Sequence, residues 1–138
     1  GNLVNEILSK IWYKKDIEEA ITTAIFEGLL VLDQEDKVRS SIEMICNQEE
    51  LQDFFRDDFK VFNEQNILKK GMPNIKPDRV VIKNNEAYIL DYKTGAEHKK
   101  HQEQLKQYEL ALIEMGLNVT KKALVYTQED DLKIIHLQ

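Results

Sequence analysis

Three residues in the middle of the chain have the types and spacing needed for phosphoryl chemistry: Asp78, Asp91 and Lys93. Between the two acids lies Asn84-Asn85, a pair that tolerates positive φ and suits the two-residue turn of a β-hairpin. If Lys83 pairs with Glu86 across that turn, then Ile82 faces Ala87, Val80 faces Ile89, and Asp78 comes to lie opposite Asp91. Side chains alternate along a strand, so both carboxylates and Lys93 share one face, whereas Arg79, Val81, Tyr88, Leu90 and Tyr92 share the other. Two carboxylates directly opposite each other repel, and a cation is the simplest remedy. Oxygen donors of this kind suit Mg²⁺ or Mn²⁺, ions that keep several waters and also bind substrate phosphate. Lys93 adds positive charge beside such an ion, able to orient or help deprotonate an attacking water and to offset charge building on a phosphate. The plainer alternative is a strand end with two solvated charges and a Pro-Asp turn. Either fragment alone is a weak signal, and the shared register is what favours chemistry.

The elements that must hold these residues follow from periodicity. Val4, Ile7, Leu8, Ile11 and Trp12 recur at the spacing of one helical face. A second helix follows, with Asp16 and Glu19 spaced as a capping box, Ala20, Ile21, Ala24 and Ile25 as its apolar stripe, and Gly28 near its end. Residues 34 to 46 carry Val38, Ile42, Ile45 and Cys46 on one face, and a short helix is expected from about Glu49 to Phe55. The pattern then changes to strands at Phe59 to Leu68, Asp78 to Ile82 and Glu86 to Tyr92, separated by Gly71, Pro73, Pro77 and the asparagine pair. A helix from about Lys99 to Met115, stopped by Gly116, leads to strands at Ala123 to Thr127 and Leu132 to Leu137. The expected fold is α/β, with helices flanking one mixed central sheet and a helical N-terminal half.

Composition bounds the rest. At 138 residues with 42% hydrophobic and 32% charged residues, the chain fits one compact domain, 1–138, and neither a disordered nor a fibrous class. Its single cysteine, Cys46, cannot close an internal disulfide, so a reducing compartment and a core position are expected. No apolar run is long enough to cross a bilayer and the first residues lack a signal-peptide layout, so a cytoplasmic protein without membrane contact is expected. The formal charge of -6 argues against a free-standing nucleic-acid binder and for a substrate delivered by something else. His98 and His101 sit in a basic loop with Lys99 and Lys100 that either touches phosphate or is a solvated helix start; Lys69-Lys70 and Lys121-Lys122 leave the same two options open.

At these residues the chain resembles the PD-(D/E)xK nuclease superfamily, and within it the RecB/AddA-type C-terminal nuclease domains of UvrD-like helicase-nucleases. The resemblance lies in Lys-Pro-Asp78-Arg-Val-Val and in Ile-Leu-Asp91-Tyr-Lys93-Thr-Gly. It implies a restriction-endonuclease-like fold in which Asp78, Asp91 and the backbone carbonyl of Tyr92 hold Mg²⁺ or Mn²⁺ and Lys93 is catalytic. It also implies an Mg-dependent deoxyribonuclease of exonuclease type, acting in DNA end processing, recombination and repair. The partners implied are DNA, the helicase region of the longer chain from which this domain was excised, and a partner subunit. Gln104 and Tyr108 match the family's Gln-x-x-x-Tyr motif, one helical face apart by i and i+4, with Tyr108 also in the stripe of Leu105, Leu112 and Met115. They would position DNA or the polar groups of the site; core packing for Tyr108 and solvation for Gln104 is the other reading. Glu64 resembles the acid of the first strand, as a third acid, a partner for Lys93 or an exposed residue. One departure stands out: where the family has a metal-binding His, this chain has Asn5, which implies weaker Mn²⁺ binding. A catalytically reduced module for DNA binding or partner docking is therefore the rival expectation.

Overall fold

Asn84 and Asn85 take φ of 50° and 70° in the computed structural model, which describes residues 2–63, 76–128 and 131–138. Positive φ at both central positions is what a tight hairpin needs to match the twist of its strands. β2 (Arg79–Lys83) and β3 (Glu86–Thr94) accordingly pair antiparallel, with Lys83 opposite Glu86, Ile82 opposite Ala87 and Val80 opposite Ile89. This is the register expected from the sequence. β1 (Lys60–Asn63) pairs antiparallel with β2, and β4 (Asn118–Gln128) pairs parallel with β3. β5 (Asp131–Leu137) pairs antiparallel with β4, so the mixed five-stranded sheet runs β1-β2-β3-β4-β5. The parallel step needs a crossover, and α4 (Lys99–Glu114) supplies it. Gly116, at φ +94°, ends that helix in a conformation L side chains avoid.

The N-terminal half is helical: α1 (Asn2–Leu8), α2 (Ile17–Phe26), α3 (Glu35–Cys46) and a 3-10 segment at Glu49–Phe54. Its apolar residues, among them Ile7, Ile21, Ile42, Leu51 and Phe54, pack with Leu90, Tyr92, Ala123 and Val125 of the sheet. On the opposite face, α4 lays Leu105, Tyr108, Ala111 and Leu112 over Val80, Ile89, Leu124 and Tyr126. The alternation along β3 thus sends Leu90 and Tyr92 to the helical half and Ile89 and Asp91 towards α4. Cys46 is buried, as expected, and burial pushes its thiol up to about 12. Among the described residues no helix is long and apolar enough to cross a membrane.

A buried arginine joins the two layers. Arg79, fully shielded from solvent, donates from Nε to the carbonyl of Phe54 at 2.7 Å, from Nη1 to that of Ile11 at 2.7 Å, and from Nη2 to that of Trp12. Asn63 fills the remaining space, accepting from Nη1 at 3.1 Å and donating to Ile11 O at 2.9 Å. The Phe55 ring lies 4.3 Å below the guanidinium.

That clamp explains where the expected elements were too long. α1 stops at Leu8, not beyond Trp12, and the chain past it turns so that the carbonyls of Ile11 and Trp12 reach Arg79; Trp12 is 53% exposed. Asp16 makes no cap bond to α2, since its carboxylate accepts from Tyr13 N–H at 2.9 Å. Met115 lies outside the α4 stripe at 61% exposure, and Ala111 takes the inward position. β4 begins at Asn118, five residues before the expected start. The expected strand from Phe59 is seen as β1, and the remainder of its range lies outside the described residues.

Candidate functional site

Continuing the β2–β3 register one step past Arg79 and Leu90 sets Asp78 beside Asp91. Each acid is tied to the other strand. Asp78 N–H donates to Asp91 Oδ1 at 2.8 Å, and Tyr92 N–H donates to Asp78 Oδ2 at 2.8 Å. Such reciprocal bonds hold both carboxylates at the mouth of the hairpin without help from a loop. An N–H and C=O of one residue point the same way in an antiparallel strand, so the Tyr92 carbonyl also lies on the Asp78 side of β3.

The electrostatics of the pair are strained. Asp91 is 2% exposed, and its carboxyl is pushed up to about 7, first by burial and then by the charge of Asp78. The Asp78 N–H and Lys93 pull in the other direction without cancelling those effects. Lys93 Nζ lies 3.4 Å from Asp91 Oδ2 and donates to Gln104 Oε1 at 2.5 Å. Gln104 therefore holds the lysine over the acids from the α4 side. Tyr108 is both core and tether: it is buried among the α4 residues, and its hydroxyl donates to the Lys76 carbonyl at 3.1 Å, steadying the segment that leads into Asp78. Burial raises that hydroxyl above the usual tyrosine range, and the charges of Asp91 and Asp78 add to the effect. Tyr108→Phe is expected to cost about 1 kcal/mol in urea unfolding, the net value of one ordinary hydrogen bond. A loss several times larger would mean the hydroxyl does more than hold Lys76.

Glu64 lies outside the described residues. Asn5 sits in α1, and its Oδ1 is buried with no hydrogen-bond partner among the described residues. That oxygen makes no bond to the acids or to Lys93. Tyr92 brings its side chain to the opposite face, where the hydroxyl is also buried without a partner among the described residues. The Lys121-Lys122 pair is occupied structurally: Lys122 is buried against Glu109 at 2.9 Å and the Gln138 carbonyl at 2.7 Å, while Lys121 pairs with Asp53. His136 contacts Glu50 at 3.3 Å. Lys69-Lys70 lies outside the described residues.

Two neighbours of the site escaped the sequence reading. Tyr126 stands beside Lys93 in the β3–β4 register, and its hydroxyl is 2.7 Å from Nδ1 of His101 on α4. Thr127 Oγ1 reaches the Lys93 carbonyl at 3.4 Å. The only sequence signal was the polar end of an apolar strand, which says nothing about the parallel register.

Whether the residues fit a divalent cation is decided by the pair itself. An acid that is costly to ionise alone, set beside a second acid, is stabilised as the anion once a cation sits between them. Two carboxylates with a nearby carbonyl suit Mg²⁺ or Mn²⁺, with water completing the shell. Among the described residues no group of three or more His, Cys, Asp and Glu side chains gathers, so the pair is the whole acidic donor set there.

Fold and site together define a mixed-sheet α/β domain carrying a carboxylate pair and a lysine under one helix. The chain belongs to the L protein N-terminus family, whose model matches residues 41–124. That span runs from α3 into β4 and includes Asp78, Asp91, Lys93, Gln104 and Tyr108. No curated protein matches the chain. The match corrects the family expected from the sequence: it goes to the L protein N-terminus and not to the PD-(D/E)xK nucleases or their RecB/AddA-type branch. The residues behind that resemblance, Glu64, Asp78, Asp91, Lys93, Gln104 and Tyr108, all fall within the matched span.

Proposed function

We propose that this domain hydrolyses phosphodiester bonds of a polynucleotide in a reaction that needs Mg²⁺ or Mn²⁺. The observation that carries the reading is the register that sets Asp78 against Asp91 with Lys93 on the same face. Asp78, Asp91 and the Tyr92 carbonyl would hold the cation, which supplies Lewis acidity and a more acidic bound water. Lys93, with its ammonium 3.4 Å from Asp91, would favour the charge that builds on a phosphate held beside the pair. Gln104 keeps that ammonium from folding away, and Tyr108 steadies the approach to Asp78.

The groups at this site read a phosphodiester, not a sugar, so RNA and DNA both belong in the test. Exonuclease action, DNA end processing and repair, the helicase region and the partner subunit came with the resemblance and lose their support with it. In an assay with labelled RNA and DNA and either cation, Lys93→Ala is expected to lower cleavage by about 10²–10³-fold, the usual cost of losing one charge-stabilising group. Equal cleavage by parent and variant would remove Lys93 from the chemistry. Binding without any cleavage by the parent would select the rival reading, a module that holds nucleic acid and does not cut it.

A further inference from the structure

Hydrolysis as described leaves unused a group of side chains on the α4 side of Lys93. We propose that His98 and His101 form a phosphate-binding subsite that grips a backbone phosphate of the polynucleotide next to the one attacked. The ligand class rests on the hydrolytic reading above, and the subsite extends it.

The proton positions distinguish an anion site from a cation site. His98 Nδ1 accepts the backbone N–H of Lys100 at 3.0 Å, so its lone pair faces the protein. A neutral ring bonded in this way carries its proton on Nε2. An outward Nε2–H suits an anion; a metal would need the lone pair that this tautomer lacks. The ring is thus unsuited to ligation and ready to donate.

His101 is held in a similar pose. Its Nδ1 is bonded to the hydroxyl of Tyr126, a residue 3% exposed, which leaves Nε2 as the outward edge. The two imidazoles lie 6.0 Å apart with planes at 55°. Burial, and after it the charge of Lys93, lower His101 below its ordinary value; where the Tyr126 hydroxyl is the donor to Nδ1, the His101 proton sits on Nε2 as it does in His98.

The surroundings supply positive charge. The first turn of α4 carries Lys99, Lys100 and His101 and no acid. Cations at a helix N-terminus oppose the macrodipole, an arrangement that an arriving anion relieves. Glu97, the nearest acid in the chain, is drawn off by Lys133 at 2.9 Å. Tyr126, which holds the His101 ring, is also the register partner of Lys93, so the subsite adjoins the lysine of the acid pair.

The test measures binding apart from cleavage. Labelled single-stranded RNA and DNA are titrated by fluorescence anisotropy against the parent chain, the His98→Ala/His101→Ala variant and Tyr126→Phe, with Ca²⁺ replacing Mg²⁺. The double variant is expected to weaken binding about tenfold and to shrink the salt dependence by roughly one phosphate contact. Tyr126→Phe, which frees the His101 ring but keeps the packing, is expected to lose about threefold. In Mg²⁺ the double variant's loss should appear in KM and not in kcat. Ring ¹⁵N spectra of the parent should show His98 protonated on Nε2.

Unchanged affinity and salt slope in the double variant, the opposite His98 tautomer, or a parent that binds neither polymer would each overturn the subsite. Histidine-dependent binding with no cleavage in Mg²⁺ or Mn²⁺ would sustain the subsite and reject the hydrolytic reading. Cleavage with histidine-independent KM would do the reverse.

Discussion

Asp91→Asn is expected to abolish cation-dependent cleavage while making the cation-free fold more stable at pH 8. Both effects come from one buried carboxyl. Asp91 is raised from 3.8 to about 7 by burial and by Asp78, so the folded chain holds its proton more tightly than the unfolded chain does. The stability from that retained proton is fully present below the unfolded value and is lost as pH rises through the folded value. Between about pH 4 and pH 7 the parent, kept free of metal by a chelator, should therefore lose stability steadily as pH rises. Asparagine cannot ionise, still accepts from Asp78 N–H, and should flatten that slope. Its amide meets Lys93 where Oδ2 stood 3.4 Å away, which trims the gain. Adding Mg²⁺ should stabilise the parent, since an ion bound only by the folded state adds to stability by mass action. The variant should not respond. Thermal unfolding across pH, with and without Mg²⁺, reads all of this; a parent whose stability is flat from pH 4 to pH 7 and indifferent to Mg²⁺ would remove the paired-acid cation site.

What the sequence could and could not disclose follows from how far apart the determining groups are. The Asp78–Asp91 relation was legible because one two-residue turn dictates every pairing across the β2–β3 hairpin. The α4 stripe was legible because helical spacing is local. The end of α1 was not, since the course of the chain just past it is set by bonds to Arg79, distant in the chain. Tyr126 was missed for a related reason. β3 and β4 are joined through α4, no turn sets their register, and an irregularity at Ala87 and Tyr88 shifts it by a residue. The family expectation rested on a few motif residues between Glu64 and Tyr108, which can repeat a chemical arrangement, whereas the match at residues 41–124 samples helices and sheet as a continuous span. Local chemistry and descent are separate inferences, and only the second was corrected.

Arg79→Met is expected to destabilise the fold by roughly 3–5 kcal/mol. Replacing a buried charge by an apolar side chain is often harmless when its partner charge is replaced too. Here the partners are the carbonyls of Phe54, Ile11 and Trp12, which no substitution can remove. They would lose their donors, those of Phe54 and Ile11 in a buried site, and Phe55 would lose the guanidinium stacked on its ring. Arg79→Lys keeps one charge but cannot satisfy three diverging carbonyls, so it should recover less than half of the loss. Burial already pulls Arg79 below its ordinary value, which shows that solvation is given up for these bonds and must be replaced by them. The consequence reaches the site, because Asp78 is the next residue in the chain and depends on where β2 starts. In urea unfolding the Met variant should shift the midpoint with little change in slope, and on heating it should melt on the order of 10 °C earlier. A shift worth less than about 1 kcal/mol would mean that apolar packing alone joins the helical half to the sheet, and that Arg79 is a passenger in that interface.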